Sequence, residues 1–189
     1  TEEGFKKGIE YFQQAIDLDP TYAPAYAGLA GCYSFMAGWG LRPPKEAFPL
    51  AKAAARKALE LDQTLAEAHA ALGAVKFQFD WDWSGAEQEL KRGIELSPSS
   101  SVAHLAYSAF LAAMGRSNES VAEARRALEL DPLTPTLSLQ VGWTLYYARR
   151  HDEAISQLRK TLELYPNLAY ANVELGWNYA EKRMYPEAV

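Results

Sequence analysis

The sequence predicts an all-α fold, a solenoid of stacked antiparallel helix pairs, on two observations. The first is a recurring segment end. AIDLDP closes at Pro20, ALELDQ at Gln63, GIELSP at Pro98, ALELDP at Pro132 and TLELYP at Pro166, so successive ends lie 43, 35, 34 and 34 residues apart. A period near 34 residues is that of a helix pair repeated along a stack. The second is what lies between the ends. From Leu133 to Pro166, Leu137, Val141, Leu145 and Ala148 recur at three- and four-residue spacings and form one apolar face. Arg149-Arg150-His151-Asp152 supplies a polar turn, and a second run follows with Ala154, Ile155, Leu158 and Leu162 on its apolar face, closed by Pro166. Neither helix alone can bury its apolar face, but stacked pairs can.

The residues that fill these units resemble the tetratricopeptide repeat (TPR), a helix pair marked by an aromatic, a Leu-Gly/Ala pair and a Tyr, then Ala, an aromatic, Ala and Pro. In chain order, residues 1–20 read as a second helix without its first (Phe12, Ala15, Pro20). In unit 21–63, Tyr26, Leu29, Ala30 and Tyr33 fill the first helix, with Ala51 and Ala58 in the second. Unit 64–98 carries Leu72, Gly73 and Ala86. Unit 99–132 is a weaker match, keeping Ala127 and Pro132 but placing Tyr107, Ser108 and Ser120 in the Leu, Gly and Ala slots. Unit 133–166 has Val141, Gly142 and Ala154, and Leu175, Gly176, Tyr179 and Ala188 open a partial unit, 167–189. Small residues belong where helices cross closely. The resemblance implies one right-handed TPR superhelix over residues 1–189. Because the register starts and stops within a repeat, the sequence reads as part of a longer protein.

Composition excludes several classes. The 189 residues are 49% hydrophobic, enough for a core, with net charge −5 and pI about 5.3. Nucleic acid and anionic membrane are poor partners for such a balance. No apolar run approaches the roughly 18–20 residues of a membrane span, and TEEGFKKGIEYFQQ lacks the features of a signal peptide, so a cytoplasmic location is expected. Cys32 is the single cysteine, which excludes an internal disulfide.

Four local features invite a functional reading. The stretch DWDWSGAE (80–87) alternates two Trp with two Asp. In register, Ala86 opens a second helix, Trp83 takes the inter-helix slot held elsewhere by Phe48, His151 and Tyr185, and Asp82 and Ser84 suit a helix start. The extra residue of the 35-residue spacing falls to an Asp80-Trp81 bulge. The stretch is thus a capped, aromatic-plugged turn, with Trp81 as its one candidate for a ligand surface. The nine extra residues of the first spacing fall within MAGWGLRPPKEAF (36–48), an exposed elbow carrying Trp39 and Arg42 that is either a tolerated insertion or a partner-contacting loop. His69 and His104 share one slot in consecutive units, but no third His or Cys joins them, which argues against metal. No phosphate-cradling glycine loop, acid/base pair or activated nucleophile is present, and no catalytic residue, cofactor or metal is expected.

The resemblance also implies where a ligand lies, along the concave face of the first helices. By register that face includes Ala27, Gly31, Ala70, Ala74, Phe77, Leu105, Ala109, Trp143, Tyr146, Tyr147, Tyr170, Val173 and Trp177. Its second half is aromatic, and Trp143 and Trp177, one period apart, are expected to stack. Such aromatics are frequent interface anchors, although packing within the superhelix or against a repeat beyond this sequence is the alternative. The Lys/Asn clamp with which some TPR proteins hold acidic C-termini has Ala, Gly, Leu and Trp in its places. The reading is a non-enzymatic scaffold that binds an extended peptide or helix of a partner protein, similar to the TPR segments of modular bacterial regulators. Self-association, and an array that positions substrates for a catalytic domain elsewhere, are the alternatives.

Overall fold

The structure is a computed structural model describing residues 2–188. Among the described residues every regular element is a helix: α1 (Glu2–Leu18), α2 (Ala23–Gly38), α3 (Pro44–Leu61), α4 (Ala66–Val75), α5 (Trp83–Leu96), α6 (Ser101–Ala113), α7 (Ser117–Leu130), α8 (Pro135–Tyr147), α9 (His151–Leu164) and α10 (Ala169–Glu181). A short π-helical turn, Lys76–Asp80, follows α4. The chain forms two compact units, Thr1–Ala106 and Tyr107–Val189.

The register read from the sequence matches the starts of the even-numbered helices. Each even-numbered helix begins three residues after a repeat end, at Ala23, Ala66, Ser101, Pro135 and Ala169. In the first unit α2 packs on α1, α3 and α4, and α4 on α3 and α5; in the second, α8 packs on α7 and α9, and α10 on α9 and α8. Thus α2, α4 and α8 each meet their own partner and the preceding second helix, α10 meets the preceding second helix, and α2·α4 and α8·α10 also bring consecutive first helices together. The small slots are where backbones come closest. A Cβ on Gly73 would stand 2.6 Å from Leu90 Cγ, and one on Gly142 2.7 Å from Leu158 Cδ2. Leu90 and Leu158 are fully buried, so neither has room to retreat.

The polar residues of the weaker unit are satisfied rather than tolerated. Ser108 and Ser120 are fully buried. Ser120 Oγ donates to the Ser108 carbonyl at 2.8 Å, and Gln140 Nε2 donates to Ser108 Oγ at 3.1 Å. Each buried hydroxyl thus has a partner, which removes most of the cost of placing it in a helix crossing.

The first helices end alike. Gly40 and Trp81 in the first unit, and Gly115, Arg149 and Arg183 in the second, adopt φ between +59° and +71°. The next residue's N–H reaches back five residues, Leu41 to Met36, Arg116 to Leu111, Arg150 to Leu145 and Met184 to Tyr179, all at 2.9 Å. This is the Schellman motif, which satisfies carbonyls that a helix end leaves open. At Trp81 the corresponding bond, Asp82 N–H to Lys76 O at 3.0 Å, spans six residues. The added residue is thus wound into the helix as a π turn, just before the Asp80-Trp81 position expected from sequence. Asp82 does cap α5, its Oδ1 accepting from Gly85 N–H at 2.9 Å.

The nine-residue insertion departs from the expected elbow. α2 has 16 residues where α6, α8 and α10 have 13, and α3 has 18 where α5, α7 and α9 have 14. Seven of the nine extra residues therefore lengthen the two helices, and two widen the turn. Helical residues satisfy their own backbone groups, so extending a pair costs less than ordering a loop of the same length.

Candidate functional site

Side by side in the second unit, α8 and α10 bring four of the sequence-selected rings into one cluster. Trp143 meets Tyr147 edge-on at 4.5 Å between centroids, Tyr147 meets Tyr146 at 5.4 Å, and Tyr146 meets Trp177 at 6.2 Å. Trp177 thus rests on Tyr146 rather than stacking on Trp143 as the 34-residue spacing suggested. The two indoles are one period apart along the chain, but the ring contacts that join them run through Tyr147 and Tyr146. Tyr147 is 54% exposed, Trp177 50%, and Tyr170 and Val173 on the same side of α10 are each 47%. Leu139, one period before Val173, is only 3% exposed.

Under the rings the packing is polar and fixed. His151 Nδ1 donates to Asn178 Oδ1 at 3.0 Å, the imidazole lying 5.6 Å from the Tyr146 ring, and Asn178 Nδ2 donates to the Glu174 carbonyl at 2.8 Å. Asn178 is fully buried and Glu174 is 9% exposed. Glu174 Oε2 has no hydrogen-bond partner, and it stands 3.0 Å from where a Cβ on Gly142 would be. The repeat explains this. Gln140 and Glu174 hold the same slot, as do Ser108 and Gly142; Ser108 offers a hydroxyl to Gln140, and Gly142 offers nothing to Glu174. Burial pushes the Glu174 carboxyl up to about 8.

Glu174 was not among the residues that sequence patterning selected. The signal was nevertheless present: the residue before each Leu-Gly-type pair is Gly28, Ala71, Ala106, Gln140 and then Glu174, a carboxylate where the other four are uncharged.

The remaining sequence candidates are placed differently. Phe77 is 7% exposed and packs on Trp83 at 6.4 Å, so it belongs to the core of the first unit and not to an open groove. Phe77 lies within the π turn Lys76–Asp80. Trp39 and Arg42 are half-buried; the Arg42 guanidinium lies 5.7 Å from the centre of the Tyr33 ring and 3.5 Å from Glu46. That elbow is more engaged with its own helices than an exposed loop would be. Trp81 is 69% exposed and edge-on to Trp83 at 5.7 Å.

His69 and His104 bind the preceding repeat ends. His69 Nε2 faces the Gln63 carbonyl and His104 Nε2 the Pro98 carbonyl, each at 3.1 Å, as Tyr26 Oη donates to the Pro20 carbonyl at 3.2 Å. One slot thus ties three successive first helices to the preceding repeat end. His69 Nδ1 also lies 2.7 Å from Glu89, which Lys76 approaches at 2.8 Å. The His69 hydrogen bond, with help from Lys76, holds Glu89 down at about 2 and raises the imidazole in turn. Among the described residues no group of three or more His, Cys, Asp or Glu could hold a metal ion. Burial pushes the Cys32 thiol up, away from the reactive thiolate.

No protein-family model matches the chain, and no curated protein matches it. Solved structures do. YrrB, described as a TPR protein with an unusual peptide-binding site, is 23% identical with a TM-score of 0.58 over 96% of this chain and 88% of its own. The pilF protein of Pseudomonas aeruginosa is 24% identical with a TM-score of 0.64, over 86% and 73%. Human IFIT1, solved as a dimer with m7Gppp-AAAA, is 17% identical with a TM-score of 0.81, over 97% of this chain but only 44% of its own. The fold is therefore that of the TPR proteins, an α-solenoid of antiparallel helix pairs.

Proposed function

We propose that this chain is a protein-interaction scaffold whose α8–α10 face binds an extended peptide or helix of a partner protein, within a larger bacterial signalling or regulatory protein. One observation carries the reading: Trp143, Tyr146, Tyr147 and Trp177 touch one another, yet Tyr147 and Trp177 stay half exposed. Pre-packed aromatic rings offer large contact area at small entropic cost, which is how binding hot spots are built. Val173 and Tyr170 extend the face along α10. Trp39 and Arg42 form a secondary contact at most, since Tyr33 and Glu46 already hold Arg42.

A peptide ligand has support from YrrB, which shares the fold and is described by its peptide-binding site. Against nucleic acid stand the net charge of −5 and the absence of any Lys or Arg in α8 or α10, where phosphates would need them. No helix among the described residues is long and apolar enough to cross a membrane.

The test is capture from the source organism's lysate with wild type and with Trp143→Ala/Trp177→Ala, both checked for helicity and molar mass. A protein retained by wild type and lost by the folded variant supports the face as a recognition site. Equal retention by both refutes it. A doubled mass without specific retention replaces it with self-association.

A further inference from the structure

The feature that the interaction reading leaves unused is the carboxyl beneath the rings. Glu174 is one of two charged residues in α10, the other being Glu181, and α8 has none. A charged side chain rarely stays nine-tenths buried unless it is paired. Glu174 Oε2 has no partner, and no neighbour on the packed elements supplies one. From α8 the only ionisable groups are Tyr146 and Tyr147. From α9, His151 is held by Asn178, and Arg159 donates to Tyr179 Oη at 3.0 Å while facing that ring. The basic residues of the adjoining turns are also engaged or distant: Arg150 pairs with Glu153 and Lys182 with Asp152, while Arg149 and Arg183 sit about two helical turns beyond Gly142 and Glu174.

Glu174 shares its side of α10 with Tyr170, one turn before it, and Trp177, one turn after it. Its carboxyl lies against Gly142, next in sequence to Trp143. An unpartnered carboxyl one turn along the helix from Tyr170 and from Trp177, on helices without a basic residue, is complementary to a cation. Ring faces attract guanidinium and ammonium groups, and the carboxylate gives them a charged hydrogen-bond acceptor.

Building on the interaction reading above, we infer that the α8–α10 face recognises an arginine or lysine side chain of the partner segment, taken between the rings onto Glu174. Glu174 must be ionised to receive the cation, so binding releases its proton wherever the free protein still holds it. Affinity for the cation then rises with pH through the range in which Glu174 is protonated, and levels off above it.

The test uses a fluorescein-labelled, end-capped heptapeptide with one central arginine, together with its lysine, citrulline and glutamate versions, titrated with the 189-residue chain and read by anisotropy. Arginine and lysine peptides are expected to bind at least tenfold more tightly than the neutral citrulline and the glutamate versions. Between pH 6 and pH 8 the arginine affinity should rise by more than tenfold while the citrulline affinity stays flat. Glu174→Gln should abolish both the preference and the pH dependence, with helicity unchanged. Trp143→Ala/Trp177→Ala should weaken every peptide. If arginine and citrulline bind alike and the ring variant loses both, the cation inference fails while the interaction face stands. If Glu174→Gln binds arginine like wild type, or no peptide binds at millimolar protein, the inference fails as well, and lysate capture then judges the face alone.

Discussion

Replacing Glu174 with Gln tests the packing of α10 on α8 independently of any partner. The carboxyl is 9% exposed, one oxygen lacks a partner, and burial moves it from 4.5 to about 8. In the unfolded chain the same carboxyl ionises near 4.5, whereas the folded chain keeps the proton. A group raised on folding makes no difference below its unfolded value, and it destabilises progressively as pH climbs toward its folded value. Each pH unit in that window is worth about 1.4 kcal/mol. At pH 7, two and a half units above 4.5, Glu174 therefore costs on the order of 3 kcal/mol, against less than about 1 kcal/mol at pH 5. Gln has nearly the same shape and no ionisation, so the variant's stability relative to wild type should rise by about 2–3 kcal/mol from pH 5 to pH 7. Urea unfolding followed by helicity, at several pH values, reads this directly. A difference between the two proteins that does not change with pH refutes a buried, proton-retaining carboxyl at the α8–α10 contact.

Three further predictions follow from the packing. Gly142→Ala places a methyl 2.7 Å from Leu158 Cδ2 and 3.0 Å from Glu174 Oε2, and should cost about 1–3 kcal/mol in thermal or urea unfolding. Arg149 adopts φ +59° where Gly115 holds the same position one repeat earlier, so Arg149→Gly should stabilise by about 0.5–1 kcal/mol and raise the melting temperature. Glu89 is held at about 2 by His69 and Lys76, so its stabilisation is complete above 4.5 and lost as pH falls toward 2. Glu89→Gln should therefore destabilise by about 1–3 kcal/mol near pH 6, with the gap to wild type closing on acidification.

Most of the fold was legible because TPR-type packing repeats its demands at a fixed spacing. Each repeat end located the next helix start, and Gly73 and Gly142 stand where their neighbours leave no room for a side chain. Asp82 was legible because capping is local, needing only a side chain three residues from a free N–H. What the sequence concealed depends on neighbours brought together only in space. An added residue can bulge or wind into a π turn with nearly the same spacing, so the turn Lys76–Asp80 and the burial of Phe77 within it were hidden. The nine-residue insertion marked its location but not its division between helix and turn. Within the candidate face, periodicity selected the rings but not their pairing, since Trp143 meets Tyr147 and Trp177 meets Tyr146. Glu174 stood out in its slot as the one carboxylate, but that its oxygen is left unpaired emerges only once Gly142 is seen beside it.

The most direct measurement of the interaction face is site-specific photocrosslinking. A benzophenone side chain would replace Tyr170, at the edge of the aromatic face, or in a second protein Lys160, exposed on α9, before illumination in the source lysate. The account predicts one defined protein partner crosslinked through position 170, absent from position 160, and lost at 170 when Trp177→Ala is added. Equal crosslinking from both positions, or a 170 adduct indifferent to Trp177, would contradict it.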